Sequence, residues 1–278
     1  MRRTVVTLGI VLVGLGFSGV TSAQDLPAFC GPAGQLPAEF SGNVVADSRC
    51  FEIRMYTAEP AANGEGGIDN LHQRFREGEM ALFEKWYCEE FLCLRLSDGD
   101  RELIARTFTF LEDAALGQMV VAVHRDFHSR NLMLLDAEVY GGDTGPGVID
   151  FQDAVAGPYT YDLVSLLRDC YIQWPAEQVR EWALYYFDSA QSKAVIGDIS
   201  PQQFLRDLDL MGLQRNLKVM GIFSRLCIRD KKPQYLADIP LVIQYFLNVS
   251  QKYPELAHFR NWFTQKVLPV AVTKQPQE

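Results

Sequence analysis

The chain has 278 residues, of which 48% are apolar and 22% charged. That is the balance of a globular protein able to bury a sizeable core, not of a disordered one. Its formal net charge of −9 argues against a broad nucleic-acid footprint, which recruits basic patches; a phosphate-bearing small molecule remains open, because bound cations screen the repulsion.

Arg2 and Arg3 precede an apolar run from Val5 to Val20, and Thr21-Ser22-Ala23 supplies small residues before Gln24. A basic start, a short apolar stretch and a small-residue exit make residues 1–23 a signal-peptide-like segment; the alternative is a buried helix or strand of a cytoplasmic fold. The run is glycine-rich and barely reaches the roughly 20 residues of a span, so no stable membrane insertion is expected. Residues 24–70 read as an atypical N-terminal region and linker. They hold one strand-like piece, Cys50–Tyr56, and the turn-rich Asn63-Gly64-Glu65-Gly66-Gly67. Of the six cysteines, Cys30 and Cys50 are available to pair in an exported protein. Cys88, Cys93, Cys170 and Cys227 lie in apolar or helical patterns and are expected as buried free thiols. None of the cysteine spacings suits zinc.

From Leu71 helical periodicity sets in. Phe75, Leu82, Phe83, Trp86 and Tyr87 share one face. Ser97 reads as an N-cap, with Asp100 supporting the first turn, and Ile104, Phe108, Leu111 and Ala115 form the next stripe. Gly117 suits the left-handed C′ position that ends a helix. Three short strands follow, Met119–Val123, Leu132–Leu135 and Gly147–Ile149, with Gly141–Gly147 turning the chain between the last two. Further helical stripes run through Val179, Trp182, Ala183 and Tyr186, then Phe204, Leu208, Met211, Leu217 and Met220, then Leu241, Val242, Tyr245, Phe246 and Val249, with Pro240 placed for a first turn. Residues 71–268 thus read as a mostly helical lobe around a small β-hairpin, an α+β fold, with 269–278 as a tail.

The polar residues concentrate between the strands. Asp126, His128, Ser129, Arg130 and Asn131 occupy a loop between two apolar strands, and Asp150 and Asp153 follow the third. Phosphoryl transfer needs a carboxylate to orient or deprotonate the attacking hydroxyl, and oxygen ligands to hold magnesium against nucleotide phosphates. Asp126 is placed for the first task, Asn131 and Asp150 for the second. Taken singly, each is an ordinary turn former; together, His-x-Asp-x-x-x-x-Asn followed after a hairpin by Ile-Asp-Phe is a demanding pattern.

The segment Val123–Met133, with Ile149-Asp150-Phe151-Gln152-Asp153-Ala154, Tyr161–Asp169, Met211–Lys218 and Arg229–Pro233, resembles the aminoglycoside phosphotransferase and choline kinase superfamily. It is most similar to bacterial anomeric kinases acting on N-acetylmuramate and N-acetylglucosamine in cell-wall sugar recycling. The resemblance implies a protein-kinase-like fold, ATP as phosphoryl donor, Mg2+ as cofactor, an amino sugar as small-molecule partner and a cytoplasmic location; the signal-like start leaves export as the alternative. It implies Asp126 as catalytic base, Asn131 and Asp150 as metal ligands, Asp162 bracing the catalytic loop (a helix N-cap role is compatible), and His124 as a structural residue of that loop. His128, Arg130, Gln152 and Asp153 are candidate substrate or phosphate contacts. The family grips nucleotide phosphates with a glycine-rich loop and a lysine, whereas the first lysine here is Lys85 and Gly64–Gly67 follows the one strand-like piece. The N-terminal lobe is therefore expected to be truncated or atypical. A catalytically impaired lobe and an aminoglycoside-modifying enzyme stand as alternatives.

Overall fold

A computed structural model of the chain describes residues 79–134, 146–150, 154–193 and 195–274. The signal-like segment, Cys30, Cys50, the strand-like Cys50–Tyr56, the linker glycines, Phe75, most of the Gly141–Gly147 turn, Gln152 and Asp153 lie outside the described residues. The chain forms two compact units. The first draws on Met119–Leu167 and Trp174–Leu205; the second takes residues 79–118, Arg168–Gln173 and 206–274 among those described.

In the first unit, four short strands pair as two antiparallel ladders: β1 (Val120–Val123) with β4 (Val155–Pro158), and β2 (Leu132–Leu134) with β3 (Pro146–Val148). The registers set Val123 opposite Val155 and Leu132 opposite Val148. The expected single hairpin is thus only the β2–β3 half. Strand β4 was masked in the sequence by Gly157-Pro158, which reads as a turn. In the fold Gly157 serves close approach, because a Cβ there would sit 3.0 Å from Val123 Cγ2. The helices Tyr161–Leu167 and Ala176–Ser192 complete the unit. The helix Pro201–Ile228 opens in it, and its Phe204 packs against Tyr159, Tyr186 and Phe187 at centroid distances of 6.2, 6.2 and 5.1 Å. Val179, Ala183 and Tyr186 are buried as their helical spacing requires.

The second unit is helical. Phe83–Phe91 is wound as a π-helix that buries Phe83, Tyr87 and Cys88. Ser97 caps the helix Asp98–Leu116 through a reciprocal capping box with Asp100. Trp262 Nε1 donates to the Asp100 carboxylate at 2.7 Å and Lys266 pairs with it, so the cap also ties the C-terminal helices down. Gly117 ends that helix with φ −73°, a right-handed value. The helix stops where expected, but not through a left-handed glycine. Phe83, Phe246, Phe259 and Phe263 meet in one aromatic cluster with Phe246–Phe263 centroids 4.9 Å apart, and helical structure continues to Thr273 with Ala271 buried. Cys88 is buried, whereas Cys170 and Cys227 are half-buried and Cys93 is exposed, so the expectation of buried thiols is corrected at three positions. Among the described residues, no helix is long and apolar enough to cross a membrane.

Two places in this unit concentrate the packing cost of any change. At Gly221 an added Cβ would lie 2.4 Å from the Leu82 carbonyl carbon. At Asp209, 5% exposed, the carboxylate pairs with Arg168, accepts from Lys252 Nζ at 3.0 Å and accepts from Tyr253 Oη at 2.9 Å. Burial alone would raise its pKa; the opposing charges and hydrogen bonds of Arg168 and Lys252 hold it below the ordinary carboxylate range.

Gly221→Ala should lower unfolding stability by about 3 kcal/mol through overpacking, whereas Gly99→Ala, whose nearest neighbour is Ser97 Oγ at 3.9 Å, should be neutral or slightly stabilising; denaturant midpoints of the two variants check the contrast. Asp209→Asn should cost about 3 kcal/mol at pH 7, because it leaves Arg168 buried without its counter-charge. The depressed carboxylate contributes stability above its unfolded pKa of about 4 and loses it as pH falls through the lower folded value. The gap between wild type and variant should therefore narrow below about pH 4, as denaturant titrations at a series of pH values would record.

Candidate active site

The candidate site grows from the ends of the two ladders. Strand β1 runs out at Val123 and the chain then makes the loop from His124 to Asn131 before entering β2. Extending the β2–β3 register by one step sets Asn131 opposite Ile149, and Ile149 N donates to Asn131 O at 3.1 Å. Asp150 thus emerges beside Asn131 at the open end of the ladder. The same backbone logic makes the loop compact: His128 N donates to Asp126 O at 3.1 Å and Asn131 N to His128 O at 3.0 Å. Asn131 Nδ2 also donates to Asp126 O at 2.9 Å, which turns the amide oxygen of Asn131 away from that carbonyl.

The loop is held from its buried side. The Asp162 carboxylate accepts from His124 N at 2.6 Å and from Arg125 N at 3.0 Å. Asp162 lies within the first turn of Tyr161–Leu167 and not before it, so its carboxylate serves the loop, and the N-cap reading is corrected. Arg125 takes φ 75° and Asp150 φ 67°, a left-handed conformation that side chains adopt only when surroundings impose it. Phe127, 1% exposed, anchors the same loop, with its ring edge-on to His124 at 5.9 Å.

His124 is buried, and its Nε2 lies 3.0 Å from the carbonyl of Ile149. A carbonyl only accepts, so Nε2 carries the proton. Burial pushes the imidazole below its usual pKa, outweighing the Ile149 carbonyl and the charges of Asp126 and Asp150. The ring is therefore neutral near pH 7, its Nδ1 buried without a hydrogen-bond partner among the described residues. A neutral ring with its proton spent on backbone ties the residue before Asp150 to the start of the loop.

Asp126 and Asn131 are half-buried and Asp150 is exposed. His128 is half-buried and Arg130 exposed in the same loop. The structure thus brings together His124, Asp126, Asn131, Asp150 and Asp162, with His128 and Arg130 alongside. The backbone tie from Ile149 and the left-handed Arg125 were not legible in the sequence: a carbonyl has no residue signature, and arginine carries no turn signal. Asp at a left-handed position is the one hint. Among the described residues no group of three His, Cys, Asp or Glu side chains gathers as a metal site. Asn131 and Asp150 instead offer one amide oxygen and one carboxylate. Such hard oxygen donors suit a magnesium ion that takes its remaining ligands from water and substrate phosphates.

The sequence profile of the phosphotransferase enzyme family matches residues 54–195, just over half of the chain. The chain is similar to the N-acetylmuramate/N-acetylglucosamine kinase of Pseudomonas putida, 42% identical over 179 residues, or 64% of this chain and 51% of the relative. It is similar to the kinase of that name from Neisseria meningitidis serogroup B, 40% identical over 196 residues, or 70% of this chain and 57% of the relative. The corresponding Pseudomonas aeruginosa protein is 41% identical over 179 residues. The chain spans about half the length of the curated relatives it matches.

Removing the Asp162 carboxylate leaves two backbone N–H groups, one buried and one half-buried, without their acceptor. Asp162→Ala should cost about 3 kcal/mol in unfolding stability, and amide exchange at His124 and Arg125 should quicken far more than at the Ala176–Ser192 helix, as native-state hydrogen exchange would measure.

Proposed function

The chain belongs to the phosphotransferase enzyme family, and from that membership we propose that it transfers the γ-phosphoryl group of ATP to the C1 hydroxyl of N-acetylmuramate or N-acetylglucosamine. The work served is the reuse of cell-wall sugars, in the cytoplasm where ATP is supplied, and the catalytic lobe on this reading is residues 71–268. The relatives, each an N-acetylmuramate/N-acetylglucosamine kinase, supply the substrate class. The observation that carries the reading is the convergence of Asp126, Asn131 and Asp150 at one end of the β2–β3 ladder.

The proposed step is an in-line displacement. A sugar hydroxyl oxygen forms a bond to the γ-phosphorus as the bond to the β–γ bridging oxygen breaks, ADP leaves, and the hydroxyl proton passes to the Asp126 carboxylate. The backbone bonds to Asp126 O fix where that carboxylate starts. Asn131 Oδ1 and Asp150 would hold Mg2+, which when bound neutralises charge on the nucleotide phosphates. His124 and Asp162 keep the loop in register and touch neither reactant. His128, Arg130, Gln152 and Asp153 are assigned to sugar or phosphate contacts.

Purified chain supplied with either sugar, ATP and magnesium should yield a sugar 1-phosphate visible by phosphorus NMR, and Asp126→Ala should slow it by about 10³-fold, the scale of a lost general base. Equal background from wild type and Asp126→Ala would overturn the transfer reading. A lack of magnesium-dependent ATP binding in that case would identify an impaired lobe, the reading suggested by the absence of any lysine before Lys85, and measurable affinity would overturn that alternative.

A further inference from the structure

In the second unit, away from the loop just described in sequence, a thiol and an amine are held against each other. Cys93 follows the π-helix Phe83–Phe91 with φ 58°, and Leu94 N donates back to Cys88 O at 2.9 Å, so the residue is fixed and not on a swinging segment. Its side chain is exposed. Lys274, just past the helix Leu268–Thr273, extends to the same place. Its Nζ donates to Phe91 O at 2.5 Å, lies 5.8 Å from the centre of the Phe91 ring, and stands 3.3 Å from Cys93 Sγ. Three contacts therefore set one nitrogen beside one sulfur across 181 residues of chain. Cys88, by contrast, is buried, and burial pushes its thiol well up, so it offers little thiolate.

We propose that Cys93 and Lys274 form an oxidative modification site, in which a peroxide-class oxidant joins Sγ and Nζ in a sulfenamide. Hydrogen peroxide first takes the thiol to the sulfenic acid, transferring one oxygen to sulfur and leaving as water; sulfur is oxidised and the peroxide reduced. Lys274, after giving its extra proton to solvent, attacks the same sulfur with its lone pair. The S–N bond forms, the S–O bond breaks, and hydroxide departs with an amine proton as a second water. The sum is thiol plus amine plus peroxide to sulfenamide plus two waters. Condensation of a sulfenic acid with nitrogen is an established branch of cysteine oxidation, and holding the partners in contact makes it effectively unimolecular. The product diverts Cys93 from the irreversible sulfinic and sulfonic acids, and an added thiol reverses it.

The test treats the full chain with hydrogen peroxide and reads it by mass spectrometry. Wild type should lose about 2 Da, two hydrogens, instead of gaining oxygens. Trypsin should then release Trp86–Arg95 joined to Val267–Glu278, with cleavage blocked at Lys274, and dithiothreitol should separate them. Cys88→Ser should keep the link, since Cys88 shares the first peptide. Cys93→Ser and Lys274→Arg should abolish it, and the arginine variant, which keeps the charge, should accumulate sulfinic and sulfonic Cys93 severalfold over wild type. Oxygen addition without a linked peptide in wild type, a link persisting in Lys274→Arg, or equal sulfonic acid in both proteins would overturn the proposal.

Discussion

The candidate site depends on one buried carboxylate. Asp162 accepts two consecutive backbone N–H groups, those of His124 and Arg125, at the point where Arg125 is driven to φ 75°. A left-handed arginine is unfavourable by itself, and two adjacent amides aimed inward have no ladder partner. Each defect needs the other's remedy: the turn aims both N–H groups at one place, and the carboxylate there makes the turn worth adopting. Everything downstream inherits this geometry, since Asp126 follows the turn directly and its carbonyl is the acceptor for both His128 N and Asn131 Nδ2.

Much of this was legible in the sequence because it is carried by residue type at fixed spacing. The helical stripes, the Ser97 cap and the separation of Asp126 from Asn131 are of that kind: side chains whose chemistry names their place. What escaped is carried by backbone. Strand β4 needs a side-chain-free residue at Gly157 to lie against Val123, and glycine before proline reads as a turn. The exposed, left-handed Cys93 was expected to be buried because its neighbours are apolar, yet the winding at the end of the π-helix turns it outward. The Ile149 carbonyl that receives the His124 proton could belong to any residue.

If Asn131 and Asp150 hold the metal as proposed, a short ladder takes the place of a purpose-built cage. Asn131 and Ile149 are joined through the backbone, so Asn131 and Asp150 are separated by strand pairing and not by side-chain packing. On the proposed reading, two oxygen donors are few for a resident ion but would suffice for one that arrives with its nucleotide, because phosphates and water would supply its remaining ligands. A net charge of −9 is no obstacle to such a complex, in which the cation offsets most of the phosphate charge.

If the site carries out the proposed phosphoryl transfer, the order of importance within it follows from the character of that transfer. When the transition state is loose, little bonding to the attacking oxygen has formed, and its proton leaves late. On that reading Asp126 would contribute more by fixing the direction of the hydroxyl than by its strength as a base, so what must be protected is position. Position is what the surrounding residues supply: Asp162 fixes the turn before Asp126, Phe127, the residue after it, is buried, and neutral His124 ties the loop to Ile149, the residue before Asp150. A charged imidazole at that point would need a second acceptor for Nδ1, and none is present among the described residues. Burial, by keeping His124 neutral, therefore preserves the alignment of the loop that holds Asp126 and Asn131 with the backbone leading to Asp150.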